Sequence, residues 1–534
     1  MLPNIPLFQN AISYAKEGLG PAIADMITGK DYSYSELVSA VATLRQKILE
    51  SESSDLKEQR VAILCPSGFS YVVAQWAVWA AGGIAVPLCN THPLPEQLYT
   101  LQDSQASLII GHPLYADRIQ SLVNESKLPT RMITEEDLSQ WAKQTTIPDT
   151  FEMDMSRKAM ILYTSGTTGK PKGVVTTHSN IDSQASALVE AWLWTRNDRI
   201  HHILPLHHVH GIINALTCAL YVGATVEMYP KFDAKQVWDR WLASSPDNTS
   251  RSKQPFTTFM SVPTVYAKLI KQYESYDETE RSAYSNACKQ FRFMVSGSAS
   301  LPTPLRDAWC RISNGQVLLE RYGMTELGMA LSQPYPVSQR IEGTVGFPLK
   351  NVQVRLMAEE EEGSGIFSKD ITDQRDVSGM VQVKGPNVFL EYWQRPDATK
   401  KEFTEDGWFQ TGDYGMRVDT EGYYRILGRA SVDILKTGGE KVSALEIERE
   451  LLSCDLGVHD VAVIGVQDPE WGQRVAAVVV LDEGRTLDLP TMRQALKSRL
   501  AVYKVPQLLS VVSELPKNAM GKVTKKELVK LFQK

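Results

Sequence analysis

Apolar positions in the first third of the chain alternate between two periods. Leu37, Val38, Val41, Leu44 and Ile48 fall on one helical face behind Tyr32-Ser33-Tyr34, so 32–50 reads as strand, turn and helix, with Ser35 expected as the helix cap. Val61-Ala62-Ile63-Leu64 is an unbroken apolar run, the pattern of a buried strand. Residues 69–81 read as an apolar helix, 84–88 as a strand, and Leu108-Ile109-Ile110 continues the series. Strands alternating with helices predict a parallel sheet with helices on both faces. The most apolar stretch, 71–88, is interrupted by Gln75 and Gly82-Gly83, so no integral membrane segment is expected. Between Val352 and Tyr424 the alternation of Val, Gly and aromatics predicts a smaller β subdomain, and the acidic run 359–365 reads as an exposed loop. Beyond Thr437-Gly438-Gly439 comes helix (443–452), strand (461–466), strand (476–480), helix (489–500) and a terminal helix (525–532). The expected fold is therefore α/β. A large N-terminal domain of layered sheets and helices, with a β subdomain, spans 1–429, and a small α+β C-terminal domain spans 430–534.

A chain of 534 residues holds more than one domain, and 43% hydrophobic with 22% charged residues is the balance of a globular enzyme. A formal charge of -6 gives no support for a nucleic-acid partner, which needs a basic face. The six cysteines are scattered without CxxC spacing, as expected for reduced thiols. Residues 1–8 lack the basic-then-apolar pattern of a signal peptide, and Leu531-Phe532-Gln533-Lys534 is not a peroxisomal tripeptide. A cytoplasmic location is the default expectation, with a processed mitochondrial or other organellar form left open.

Between the apolar runs Ala159–Leu162 and Val174-Val175 lies Tyr163-Thr164-Ser165-Gly166-Thr167-Thr168-Gly169-Lys170-Pro171-Lys172-Gly173. Glycines, small hydroxyl residues and lysines together supply backbone freedom, free N–H groups, hydroxyl donors and positive charge. Those are the properties that wrap a polyphosphate. The common nucleotide P-loop has wider glycine spacing and Ser or Thr directly after its Lys, whereas here Pro171 follows Lys170 and blocks an ordinary helix start.

The loop resembles the phosphate-binding signature of the adenylate-forming superfamily of acyl-CoA synthetases, adenylation domains and luciferases. That resemblance implies that Thr164, Ser165, Gly166, Thr167, Thr168, Gly169, Lys170 and Lys172 hold the phosphates of ATP or AMP. Further stretches follow in the family's order. Glu320-Arg321-Tyr322-Gly323-Met324-Thr325-Glu326 implies a nucleotide-binding strip from Glu320 to Met324, with the face of Tyr322 over adenine. It also implies Thr325 donating to phosphate or to the acyl carboxylate, and Glu326 holding Mg²⁺ on ATP. The run 294–302 brings Gly297, Ser298 and Ala299 to the nucleotide. Within 407–413, Asp413 accepts the ribose hydroxyls. Within 428–439, Arg429 contacts ribose or phosphate and Ser431 stands at the hinge, where the family usually has Asp or Lys. Gly438 and Gly439 line the tunnel for the pantetheine arm of coenzyme A. In 516–526, Lys522 matches the catalytic lysine, which meets charge on the α-phosphate and acyl oxygens; cations so placed are worth roughly 10²–10³ in rate. It rides on a mobile C-terminal lid, whose rotation withdraws it and opens the path for the thiol. The implied activity is an AMP-forming acid–thiol ligase with ATP, coenzyme A and a small carboxylic acid as substrates.

His201-His202 and His207-His208-Val209-His210 invite a metal reading, but cysteine and a fixed zinc spacing are missing. The run 204–211 resembles the family's acyl-pocket motif instead, implying that His208 or His210 borders the carboxylate; a core histidine is the alternative. Taken together, 207–214, 294–302, 320–331 and 431–446 resemble malonyl-CoA and methylmalonyl-CoA synthetases. A second carboxylate needs a buried cation. Arg321 is expected to supply it through two parallel bonds, with Ser296 and His208 assisting. The competing expectation is a structural ion pair between Arg321 and Glu320 or a strand carboxylate, with a pocket for a medium-chain fatty or aryl acid. An alternative of another class is a non-catalytic nucleotide-binding scaffold, against which Lys522, Glu326 and Asp413 stand together.

Overall fold

The computed structural model describes residues 1–49, 54–143, 147–164, 170–246, 254–360, 366–418, 421–437, 440–469, 471–517 and 523–532. Ser165, Gly166, Thr167, Thr168, Gly169, Gly438, Gly439 and Lys522 lie outside the described residues.

Two large sheets form the body. One runs, in order, Glu391–Tyr392, Lys172–Thr177, Lys158–Thr164, Ile84–Pro87, Arg60–Leu64, Ala106–Gly111 and Thr130–Met132. Its centre is parallel, as the alternation of strands and helices predicts, but one edge is an antiparallel hairpin in which Thr164 pairs with Lys172. That hairpin carries the glycine-rich loop. The second sheet has nine strands, with Arg199–His202, Thr258–Ser261, Phe293–Ser296 and Leu319–Met324 consecutive and parallel at its centre. The helix Phe69–Ala80 is buried on every side, which is why its sequence is apolar all round.

The helix Tyr34–Leu49 is capped by Ser33 rather than Ser35. The Glu36 N–H donates to Ser33 Oγ at 3.2 Å, and the Ser33 N–H donates to the Glu36 carboxylate at 2.7 Å. This reciprocal box starts the helix two residues earlier than the apolar spacing alone suggests.

A five-stranded antiparallel sheet, 353–429, is the expected β subdomain, ending in the paired strands Phe409–Val418 and Tyr423–Arg429. Of the acidic run, Glu359 closes the strand Gln353–Glu359 instead of lying in a loop and takes Lys441 at 2.8 Å, while 361–365 lie outside the described residues. The C-terminal sheet is built on the long hairpin of Val458–Asp468 and Gly472–Leu481, flanked by Ile434–Thr437, Glu440–Ser443 and Leu508–Val511. The helices Ala444–Leu452 and Leu489–Leu496 pack their apolar faces on it around Val463, Val475 and Ala477. Among the described residues no helix is long and apolar enough to cross a membrane.

Candidate functional site

The strand Leu319–Met324 divides the site, because successive side chains point to opposite faces of a sheet. Glu320 pairs in register with Ser296, which pairs with Ser261, so those three share one face. Gly297 and Arg321 share the other. A Cβ on Gly297 would lie 2.3 Å from Arg321 Cζ, so only glycine leaves room for the guanidinium there. Ser296 therefore sits away from Arg321, contrary to the expected partnership, for the plain reason that neighbours along a strand alternate.

Arg321 is 6% exposed, and among the described residues no carboxylate pairs with it. Its Nε–H has no acceptor, and Nη2 donates to Ser298 Oγ at 3.3 Å. Burial pushes the guanidinium down to about 10. The competing expectation of an ion pair with Glu320 fails on the same alternation. Glu320 faces Arg449, Arg306 and Glu342 instead, and burial, with Glu342 adding to it, raises its carboxyl to about 7.

Ser298 holds a left-handed backbone, φ +66°, at the lip of this pocket, and its Oγ lies 3.3 Å from His210 Nδ1. Arg321 can only donate to Ser298, so the serine hydroxyl hydrogen is free to go to His210 Nδ1. We take His210 in the Nε2–H tautomer that this contact allows, and burial keeps the ring neutral by pushing its pKa well below the usual value. Nε2 has no partner. His210 begins a π-helix, His210–Thr217, a rare geometry often found at functional sites. Of the two expected histidines it is thus His210 that joins Arg321, while His208 stands half-buried with its ring 4.0 Å from that of His207. His201 and His202 are core residues: Trp241 Nε1 donates to His201 Nδ1 at 3.0 Å, and His202 Nε2 lies 3.0 Å from the Gly211 carbonyl.

Three distant motifs meet at the second centre. Tyr322 donates its hydroxyl to Asp413 Oδ2 at 2.7 Å, and Arg429 Nε donates to Asp413 Oδ1 at 2.9 Å. Gly323 admits no side chain, since a Cβ would meet the Gly328 carbonyl at 2.0 Å; the tight return places Met324, Thr325 and Glu326 at its turn. Glu326 is half-buried and accepts the Tyr392 hydroxyl at 2.9 Å. Burial raises its carboxyl above the usual range. A carboxylate with a hydroxyl donor and no ion pair among the described residues fits a hard cation such as Mg²⁺.

Lys172 stands over the Tyr392 ring at 3.9 Å, with Glu402 at 3.7 Å. Lys170 lies 5.6 Å from the Tyr99 ring, and the Tyr99 hydroxyl donates to the Pro171 carbonyl at 2.7 Å. Thr164 Oγ1 reaches the Lys172 carbonyl at 3.5 Å. These contacts fix both stems of the glycine-rich loop. Ala299 lies exposed beside Ser298, and Ser431 is exposed in the turn after Arg429. Tyr99 and Tyr392 escaped the sequence reading because both act across long sequence separations.

The family model for AMP-binding enzyme matches residues 15–393, and that for AMP-binding enzyme C-terminal domain matches 446–522. Malonate–CoA ligase ACSF3, mitochondrial, of Mus musculus is 44% identical over 544 residues, covering 99% of this chain and 90% of the relative. ATP-bound MatB from Rhodopseudomonas palustris superposes with a TM-score of 0.84 at 32% identity, covering 100% of this chain and 99% of that one. A malonyl-CoA ligase ternary product complex with methylmalonyl-CoA and AMP superposes with a TM-score of 0.63 at 30% identity, covering 95% and 99%.

Proposed function

From the premise that this chain belongs to the AMP-binding enzyme family, we propose that it is an ATP-dependent malonate–CoA ligase working through an acyl-adenylate. Arg321 carries the reading: a buried guanidinium with no carboxylate partner among the described residues, packed against Gly297 and reaching Ser298, which in turn meets His210. Leaving a cation so buried is costly unless a ligand supplies the anion. A short dicarboxylate does so with its distal carboxylate and leaves the near one to react. A fatty or aryl tail would leave Arg321 without an anion.

In the first half-reaction the near carboxylate attacks the α-phosphorus of ATP and pyrophosphate leaves. In the second the thiol of coenzyme A attacks the acyl carbon and AMP leaves. Asp413, oriented by Tyr322 and Arg429, takes the ribose hydroxyls. Lys170, Lys172 and residues 164–169 take the phosphates, with Thr325 beside them. Glu326 would hold a magnesium ion, which would supply charge neutralisation on the phosphates. Lys522 meets charge at the reacting phosphate in the first step.

We place the domain boundary at 429/430, with Ser431 as hinge and Gly438 and Gly439 on the thiol path. Two solved relatives at similar identity differ in their match, 0.84 against 0.63. Reorientation of a small terminal unit between half-reactions would produce such a difference. The mouse relative is named as mitochondrial, which makes a mitochondrial location part of the proposal, and a fluorescent fusion of the native chain would check it.

The decisive test is pyrophosphate release with ATP and coenzyme A across malonate, methylmalonate, acetate, octanoate and benzoate, for wild type beside Arg321→Leu. Malonate turnover lost in the variant is expected. Preference for octanoate or benzoate, unchanged in the variant, would discard the dicarboxylate.

A further inference from the structure

Asn214 is 0% exposed, and among the described residues neither atom of its side-chain amide has a partner. Both atoms are orphaned, so flipping the amide does not rescue it. An unsatisfied buried amide carries a desolvation penalty that native folds rarely tolerate at a residue with no use. Asn214 lies within the π-helix, four residues after His210. In a helix of that pitch, residues four apart return to nearly the same bearing, so Asn214 follows His210 along the face that begins at Ser298 and Arg321. The orphaned atoms of this set are mostly donors: Arg321 Nε–H, His210 Nε2–H and one end of the Asn214 amide. A site with surplus donors and no carboxylate is complementary to an anion.

We propose that Asn214 is a specificity-determining residue of the acid pocket, donating from Nδ2 to the distal carboxylate of a short dicarboxylic acid beside Arg321 and His210. The inference rests on the dicarboxylate reading and adds to it a residue on a second element. A single guanidinium attracts any anionic tail. Donors converging from the π-helix and from the strand Leu319–Met324 fix how far that tail lies from the reacting carboxylate. The pocket thereby selects chain length as well as charge. An apolar tail of the same length would strand all three donors, and sites built to hydrogen-bond a group reject analogues that lack it by large factors.

The test is steady-state pyrophosphate release by the full chain, with malonate, succinate and butyrate compared in wild type, Asn214→Leu and Asn214→Asp. Asn214→Leu keeps the volume and removes both polar atoms. It is expected to raise KM for malonate about 10–100-fold with KM for ATP unchanged, and to narrow the gap between malonate and butyrate. Asn214→Asp keeps the shape and sets a negative charge against the substrate and beside Arg321. It should raise KM for malonate further while the protein stays folded. If Asn214→Leu does not fold, Asn214→Asp alone decides. Wild-type KM for malonate in whichever variants fold would overturn the inference, because an amide that only holds a buried water moves stability and not KM. The two readings fail separately. Malonate turnover in wild type, lost in Arg321→Leu but kept in both Asn214 variants, removes Asn214 and leaves the dicarboxylate. Absence of malonate turnover in wild type removes both.

Discussion

Two buried charges in this molecule are treated in opposite ways. Glu227, 1% exposed, accepts from Arg199 at 2.6 Å, from Arg240 at 2.6 Å and from the Tyr229 hydroxyl at 2.8 Å. Burial would raise its pKa, but the arginines outweigh burial and hold the carboxyl at about 2. Arg321, a few strands away in the same sheet, has a serine hydroxyl and no carboxylate among the described residues. A fully partnered charge holds elements together, and replacing it disturbs the fold. A charge left without its counter-ion is held ready for something that arrives from outside. The difference is legible only from partners, since both residues are about equally buried.

The comparison can be broken by mutation. Removing Arg321 as Arg321→Leu should cost malonate turnover roughly 10³-fold in kcat/KM, while thermal unfolding of the unliganded protein stays level or rises, because an unpaired buried cation is lost. A large drop in unfolding temperature would make Arg321 structural after all. Glu227→Ala should do the reverse. It should destabilise by about 3–5 kcal/mol in denaturant unfolding, since two guanidiniums lose their anion, with KM for the acid unchanged in the folded fraction. Gly297→Ala sharpens the contrast. Its new methyl displaces the Arg321 guanidinium, so kcat/KM for malonate should fall about 10–100-fold with little change in stability.

Tyr392→Phe removes the hydroxyl that Glu326 accepts and spares the ring under Lys172. About a tenfold loss in kcat/KM for ATP, with a higher Mg²⁺ requirement, is expected from a titration of Mg²⁺ at fixed ATP. The smallest effect belongs to Glu320. Its folded pKa, about 7, lies above the unfolded value, so the folded state holds the proton longer. Stability from this group is complete below the unfolded pKa and is lost as pH rises through about 7. Glu320→Gln should therefore gain on wild type in unfolding temperature as pH climbs from about 4.5 to about 7, and the gap should then level off. A constant gap across that range would remove the assignment.

Much of this was written locally. The glycine-rich loop, the Glu320–Glu326 strip and the ends of most strands and helices depend on residue types at short spacing: glycine where a close approach demands it, apolar runs where both faces are covered, lysine and hydroxyls around a phosphate. The helix start at Ser33 is local too: of the two serines near the start, only Ser33 has a Glu three residues on to close the capping box, a pattern that apolar spacing alone overlooks. What only the tertiary structure decided is who meets whom. Strand register put Ser296 with Glu320 and Arg321 with Gly297, two faces that adjacent letters cannot reveal. Packing across long separations brought Tyr322 to Asp413, Tyr392 to Glu326 and His210 to Ser298. Sequence determined which chemical groups are present and the elements that carry them. The fold determined which charges found partners, because burial and pairing belong to the assembled sheet and not to any stretch of it.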